Sequence, residues 1–226
     1  MAHETINGIT LHFHVEGPED GTPILFSNSL ASNLGMWDPQ VEPLCREGFK
    51  VIRYDSRGHG KSDAPEGAYS IEMLADDAAG LLDHLNIAAA HYCGLSKGGM
   101  VGQMLGIRHP DRMKTLTLAD TAAFMPAKDT WEQRIATVRD GGMESVVDGT
   151  LDRWFTAPGQ KRIPGEIAKV REMILSTPPT GFIGWCKAIM AMDMRPTNPS
   201  INKPTLVICG EEDSGTTPAQ AKEIAD

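Results

Sequence analysis

The run Tyr92-Cys93-Gly94-Leu95-Ser96-Lys97-Gly98-Gly99 sets a serine between two glycines, each two residues away, after a short apolar stretch and ahead of a helix-like segment. A serine hydroxyl is a weak nucleophile at neutral pH. Chemistry at Ser96 therefore needs its Oγ held at the tip of a sharp strand-to-helix turn, where a base can take its proton. The residues two before and two after such a serine crowd one another, and glycine tolerates both the unusual backbone angles and the close approach. Gly94 and Gly98 fit that turn. The string alone arises by chance in many chains, but its context here is right: His91-Tyr92-Cys93 reads as a buried strand end and Met100 to His109 as the helix that follows. The chemistry implied is nucleophilic attack by Ser96 followed by an acyl intermediate.

Such a serine needs a sheet and helices to hold it, and the rest of the chain repeats strand, turn and helix. Thr5 to Ile9 and Leu11 to Glu16 nearly alternate apolar and polar residues around Asn7-Gly8, which predicts a hairpin. Pro23 to Phe26 reads as a short buried strand, Trp37 to Arg46 as a helix with Asp38-Pro39 near its start, and Phe49 to Tyr54 as another strand. Ser70 opens a helix to Leu85, with Leu74, Ala78, Leu81, Leu82 and Leu85 at helical spacing. Lys114 to Ala119 and Pro204 to Cys209 are further strands. The order predicts an α/β architecture, a mostly parallel sheet flanked by helices. Between the last two strands, over residues 121–202, helix-like segments are broken by proline and glycine and carry Trp131, Trp154 and Trp185. That stretch is expected to be an inserted helical cap over the sheet's carboxyl edge, with residues 1–120 and 203–226 as the core. No internal repeat or low-complexity segment is evident.

Composition agrees with one sizeable domain: 226 residues, 41% hydrophobic and 23% charged, can bury an ordinary core. No apolar run reaches the roughly 18 residues a membrane helix needs, and no basic segment precedes an apolar one at the N-terminus, so a cytoplasmic protein is expected. Cys45, Cys93, Cys186 and Cys209 show no CxxC spacing and are read as reduced packing residues; neither metal nor cofactor is expected. A net charge of −9 disfavours nucleic acid as a partner, while a small anionic substrate needs only one or two local cations.

A second motif, Tyr54-Asp55-Ser56-Arg57-Gly58-His59-Gly60-Lys61-Ser62, follows a strand, and its glycines suit a tight loop. With the Ser96 turn it resembles the α/β-hydrolase superfamily and, within it, the 3-oxoadipate enol-lactonases, also called β-ketoadipate enol-lactone hydrolases. That resemblance also rests on Ser27-Asn28-Ser29-Leu30, Met36 to Gln40, Thr121-Ala122-Ala123, Trp131 with Arg134-Ile135, Arg153 to Thr156, and Gly210 with Asp213, which together span most of the chain. It implies that Ser96 attacks the carbonyl of an ester or lactone. The oxyanion then receives the backbone N–H groups of Lys97 and, from the Ser27 to Leu30 segment, of Leu30. A plain turn at Asn28-Ser29 is the alternative reading of that segment. The orienting acid is expected to be Asp213, after the last strand, with Asp120 at the end of the preceding strand as the alternative. Glu211 and Glu212 are read as solvated.

The resemblance also implies the chain order serine, acid, histidine. Yet His3, His12, His14, His59, His84, His91 and His109 all precede Asp213. His59 is the nearest candidate base, and His12 and His14 are read as one exposed strand face. The expectation is a shortened form of a longer hydrolase, without its last strand, histidine loop and last helix, and nearly inactive as such. A non-catalytic ligand-binding protein is the alternative, and C–C bond hydrolysis or cofactor-free perhydrolysis are related activities on the same scaffold. The implied substrate, an enol-lactone from aromatic breakdown, carries a carboxylate. Trp131 and Arg134, three apart, are the expected contacts. Lys97 departs from the apolar residue usual after the nucleophile, and its side chain is expected either to bind an anion from under the cap or to lie along the pocket wall.

Overall fold

The computed structural model describes residues 2–126 and 128–226. β1 (Ala2–Ile6) and β2 (Ile9–Glu16) form the expected hairpin. Asn7 and Gly8 close it at φ of 49° and 77°, the left-handed pair that a two-residue turn between twisted strands needs. The remaining strands are β3 (Thr22–Ser27), β4 (Phe49–Tyr54), β5 (Ala90–Leu95), β6 (Met113–Ala119) and β7 (Thr205–Ile208). They lie in the order β1-β2-β4-β3-β5-β6-β7; β4 to β7 are parallel to β3, and β1 and β2 are antiparallel additions at one side.

Around the sheet run α1 (Asp38–Arg46), α2 (Ile71–His84), α3 (Lys97–Arg108) and α9 (Pro218–Ala225). Ser70 caps α2, its hydroxyl accepting the Met73 N–H at 3.2 Å. The helix then buries Ile71, Leu74, Ala78, Leu81 and Leu82 against the sheet and α3. α3 begins at Lys97, three residues before the sequence pattern suggests, because the turn at Ser96 leads straight into it.

Between β6 and β7 lie α4 (Lys128–Gly141), α5 (Glu144–Trp154), α6 (Ala157–Arg162), α7 (Pro164–Leu175) and α8 (Pro179–Ala191). α8 packs on α4 and also touches the loop after β4. There the Trp185 indole N–H donates to the Arg57 carbonyl at 2.7 Å, and a Cβ on Gly181 would stand 1.9 Å from the Gly58 carbonyl oxygen, so backbone meets backbone. No helix among the described residues is long and apolar enough to cross a membrane.

One departure from the expected surface lies on β2. His12 is buried, not exposed: its Nδ1 pairs with Asp55 Oδ2 at 2.7 Å. β2 is sandwiched between β1 and β4, and the loop after β4 folds back over it, its Ser62 hydroxyl accepting the His12 N–H at 2.9 Å. β7, in contrast, pairs only with β6 among the described strands and leaves Leu206 and Ile208 57% and 47% exposed on one face. Apolar residues on an open edge strand template association. The double variant Leu206→Lys/Ile208→Lys is expected to bind less apolar-surface dye and to aggregate less. Its stability should stay within about 0.5 kcal/mol of the parent for each exposed site. Unchanged dye binding would place the sticky surface elsewhere.

Candidate active site

Ser96 sits between β5 and α3 at φ 56° and ψ −114°, a conformation costly for any residue with a side chain. Several contacts hold it there. Its N–H continues the sheet by donating to the Ala119 carbonyl at 2.8 Å, and the Thr121 hydroxyl donates to its carbonyl at 2.7 Å. The flanking glycines are required by space: a Cβ on Gly94 would lie 2.3 Å from the Gly98 backbone, and one on Gly98 would lie 2.2 Å from the Ser27 carbonyl oxygen. The turn thus brings the N-terminus of α3, with its partial positive charge, against the end of β3.

That approach places the two expected oxyanion segments together. Neither Leu30 N–H nor Lys97 N–H donates to any acceptor among the described residues, whereas the neighbouring Ala31 N–H is held by His59 Nε2 at 2.9 Å. Leu30 and Ser96 line one cavity of about 1280 Å³, together with Asp120, Asp213, Trp131, Arg134, Arg153 and a set of methionines. Ser96, Leu30, Asp213, Trp131 and Arg134 are therefore brought together. Lys97 does not line the cavity.

The two carboxylates differ in setting. Asp213 accepts the N–H groups of Gly215 and Thr216 on Oδ1, at 2.7 and 2.9 Å, and the Thr216 hydroxyl on Oδ2 at 2.9 Å. Among the described residues the Asp120 carboxylate accepts the Gly210 N–H alone, at 2.9 Å, and burial together with the neighbouring Asp213 charge pushes its carboxyl upward. Asp120, Cys209 and Asp213 bring one ligand-type atom each to within 4.8 Å of one another, so Cys209 belongs to this loop cluster and not to the packed core.

All seven histidines are engaged away from the cavity. His12 is tied to Asp55, and His3 and His14 lie against its ring with centroids 4.6 and 5.1 Å away. His59 accepts from Ala31, His84 meets Phe13 edge-on, His91 bonds Thr115 at 2.8 Å, and His109 bonds Asp76 at 2.6 Å. His59, the nearest candidate base from the sequence, has its Nε2 occupied and does not line the cavity that Ser96 faces.

The cations are the cavity's other feature. Arg134 lies over the Trp131 ring, 4.7 Å to the centroid, and faces Phe182 at 5.5 Å. Burial and the nearby Arg153 push its guanidinium down to about 10. Arg153 is lowered as well by burial, and it donates only to the Thr150 hydroxyl, at 3.2 Å. Neither arginine belongs to an ion pair among the described residues. Arg153 as a cavity cation and Thr216 as the clamp on Asp213 were not evident from residue spacing. For Arg153 the only signal was its place in the Arg153 to Thr156 run; for Thr216 there was none.

Neither expectation for the Lys97 side chain holds. It is fully buried, its amine donating to Ser56 Oγ at 2.6 Å and lying 4.1 Å above the Trp185 ring. With Ser96 turned toward the cavity, the next side chain points beneath the loop after β4, where Ser56 and Trp185 form a slot. Burial pushes the amine down to about 7, partly opposed by Asp55.

Residues 22–148 match the family described as alpha/beta hydrolase fold. The chain is 38% identical to 3-oxoadipate enol-lactonase 1 of Acinetobacter baylyi over 93% of its own length and 78% of that protein's. It is 35% identical to 3-oxoadipate enol-lactonase 2 of the same organism over 98% and 83%. Its structure superposes on the crystal structure of the enol-lactonase from Burkholderia xenovorans LB400 with a TM-score of 0.97 and 43% identity, covering 99% of this chain and 86% of that one.

Burial of Lys97 has a measurable consequence. Between pH 7 and 10.5 the unfolded chain carries a proton on Lys97 that the folded chain has released, so stability must rise with pH across that window. At about 1.4 kcal/mol per unit, the wild-type protein should gain on the order of 4 kcal/mol relative to Lys97→Met from pH 7 to pH 10. Denaturant unfolding of both proteins at several pH values measures this. Parallel pH dependences would mean that Lys97 is not buried as described.

Proposed function

The chain belongs to the alpha/beta hydrolase fold family, and from that premise we propose that it hydrolyses a carboxylic ester or lactone through an acyl intermediate on Ser96. The observation that carries the proposal is Ser96 itself: a strained serine at a helix N-terminus, facing a cavity, with two unengaged N–H groups beside it. Ser96 Oγ attacks the carbonyl carbon, and the charge gathered on the carbonyl oxygen is received by Leu30 N–H and Lys97 N–H. Collapse expels the alkoxide or, in a lactone, opens the ring. Water then attacks the acyl carbon and releases Ser96 and a carboxylic acid. In this reading Asp213, which accepts three hydrogen bonds from Gly215 and Thr216, is the orienting acid, and Asp120, with its raised carboxyl, supports the loop.

The proton acceptor is not among this chain's histidines, each of which is engaged elsewhere. The base that this reading requires is thus a histidine that these 226 residues do not bring to the cavity. General-base help is worth about 10²–10⁴-fold, so the chain alone is expected to turn over esters slower by that factor than a form carrying a histidine-bearing segment. The same accounting favours one second reading, a ligand-binding protein without turnover.

The substrate reading is an enol-lactone bearing a carboxylate, 3-oxoadipate enol-lactone of aromatic catabolism first, in keeping with the enol-lactonases the chain resembles. The helices between β6 and β7 form the cap over the site, and Trp131 and Arg134 on α4 offer an apolar wall and a cation with no carboxylate partner. A buried guanidinium without a partner is costly, and a substrate carboxylate relieves that cost.

Treatment of a form carrying the histidine-bearing segment with a fluorophosphonate, followed by peptide mapping, is expected to place the adduct on Ser96 and to give none with Ser96→Ala; an adduct elsewhere refutes the mechanism. Arg134→Ala should lower kcat/KM for a carboxylated lactone roughly ten- to a hundredfold more than for a neutral ester of similar size, the worth of a charge-assisted bond. Equal losses on both would return Arg134 to a packing role.

A further inference from the structure

The two oxyanion-donor segments are far apart in sequence, and a single chain of buried polar contacts joins them. Lys97 Nζ donates to Ser56 Oγ at 2.6 Å. The Ser56 carbonyl accepts the His59 N–H at 2.9 Å, and His59 Nε2 accepts the Ala31 N–H at 2.9 Å. Ala31 follows Leu30 and holds a left-handed φ of 59°, and its N–H bond anchors the peptide that directly follows Leu30. We propose that Lys97 is a positioning residue for the oxyanion site, its buried amine locking the Leu30 segment to the nucleophile turn through Ser56 and His59. The proposal rests on the serine-hydrolase reading above.

The link has an electrostatic side. His59 Nε2 can accept from Ala31 only if it carries no proton, so the ring must be neutral with its proton on Nδ1. Complete burial, and after it the Lys97 charge, hold His59 well below the usual histidine range. The other ionisable groups nearby are already committed. Asp55 is shared between His12, Leu34 N–H and Lys61 N–H, and Arg57 is paired with Asp77. Tyr69 donates to Pro65, and burial keeps its phenol neutral up to about 12. α8 carries the buried Cys186, kept as a thiol, and the half-buried Lys187. Trp185 closes the arrangement, 4.1 Å beneath the Lys97 amine and edge-on to His59, with centroids 5.9 Å apart.

Loss of the Lys97 charge should let His59 take a proton at higher pH. Protonated Nε2 cannot accept, and the Ala31 N–H is released. The test is an NMR titration of the His59 ring and the Ala31 amide in wild type, Lys97→Met and Lys97→Arg. Expected is a His59 midpoint raised in Lys97→Met, with the Ala31 amide moving at the same pH, and restored toward wild type in Lys97→Arg. An unchanged midpoint, or an Ala31 amide indifferent to His59, overturns the proposal. Should Lys97→Met fail to fold, Ser56→Ala breaks the same link more gently: faster hydrogen exchange at Leu30 and Ala31 supports it, and unchanged exchange overturns it. A fluorophosphonate reports the functional side. Relative to wild type, Ser96 labelling in Lys97→Met should be roughly tenfold slower at pH 6 and less affected at pH 8, as expected for a displaced donor; an equal loss at both pH values overturns it. If a form carrying the histidine-bearing segment takes no label at Ser96, the hydrolase reading fails, while the amide titration still decides the link.

Discussion

A Cβ on Gly98 would stand 2.2 Å from the Ser27 carbonyl oxygen, so α3 and the end of β3 meet with no side chain between them. The nucleophile turn is built on that approach. Beside it the turn at Ser96 takes a left-handed φ, and the N–H groups of Lys97, first in α3, and of Leu30 meet no acceptor among the described residues. Lys97, next to the turn, is fully buried. The strain is supported on both sides, by the β5–β6 pairing that continues through Ser96 N–H and by Thr121 on its carbonyl.

Around this contact the chain buries an unusual amount of charge. Asp55 gathers His12, Leu34 and Lys61, Arg57 pairs with Asp77, and Lys97 has only a hydroxyl and an indole face. Buried polar groups are tolerated when each is bonded, and such networks specify one arrangement of the backbone. Here they organise the loop after β4 that supports both the Leu30 segment and α8. The cavity on the other side of Ser96 follows the opposite logic. Its arginines lack carboxylate partners, a state that favours an anionic ligand.

Local signals were legible in the sequence and long-range ones were not. Asn7-Gly8, the Ser70 cap and the glycines about Ser96 act within a few residues, so the hairpin, α2 and the nucleophile turn could be read directly. The burial of His12 could not, because Asp55 arrives from a different strand end and cancels what β2's alternation alone suggests. Lys97 is the sharper case: Ser56 and Trp185, which hold it, lie on either side of it in the chain and meet only in the fold. Thr216, which binds Asp213 and also donates to the Asp120 carbonyl, carries no motif at all.

The central claim is that the end of β3 and the start of α3 form one preorganised oxyanion site at Ser96. A crystal structure of a phosphonate adduct bearing a carboxylate tail tests it most directly. The account predicts phosphorus bonded to Ser96 Oγ, one phosphonyl oxygen within about 3 Å of both Leu30 N and Lys97 N, and the tail toward Arg134. An adduct whose oxygen contacts neither N–H, or one formed on another residue, would contradict it.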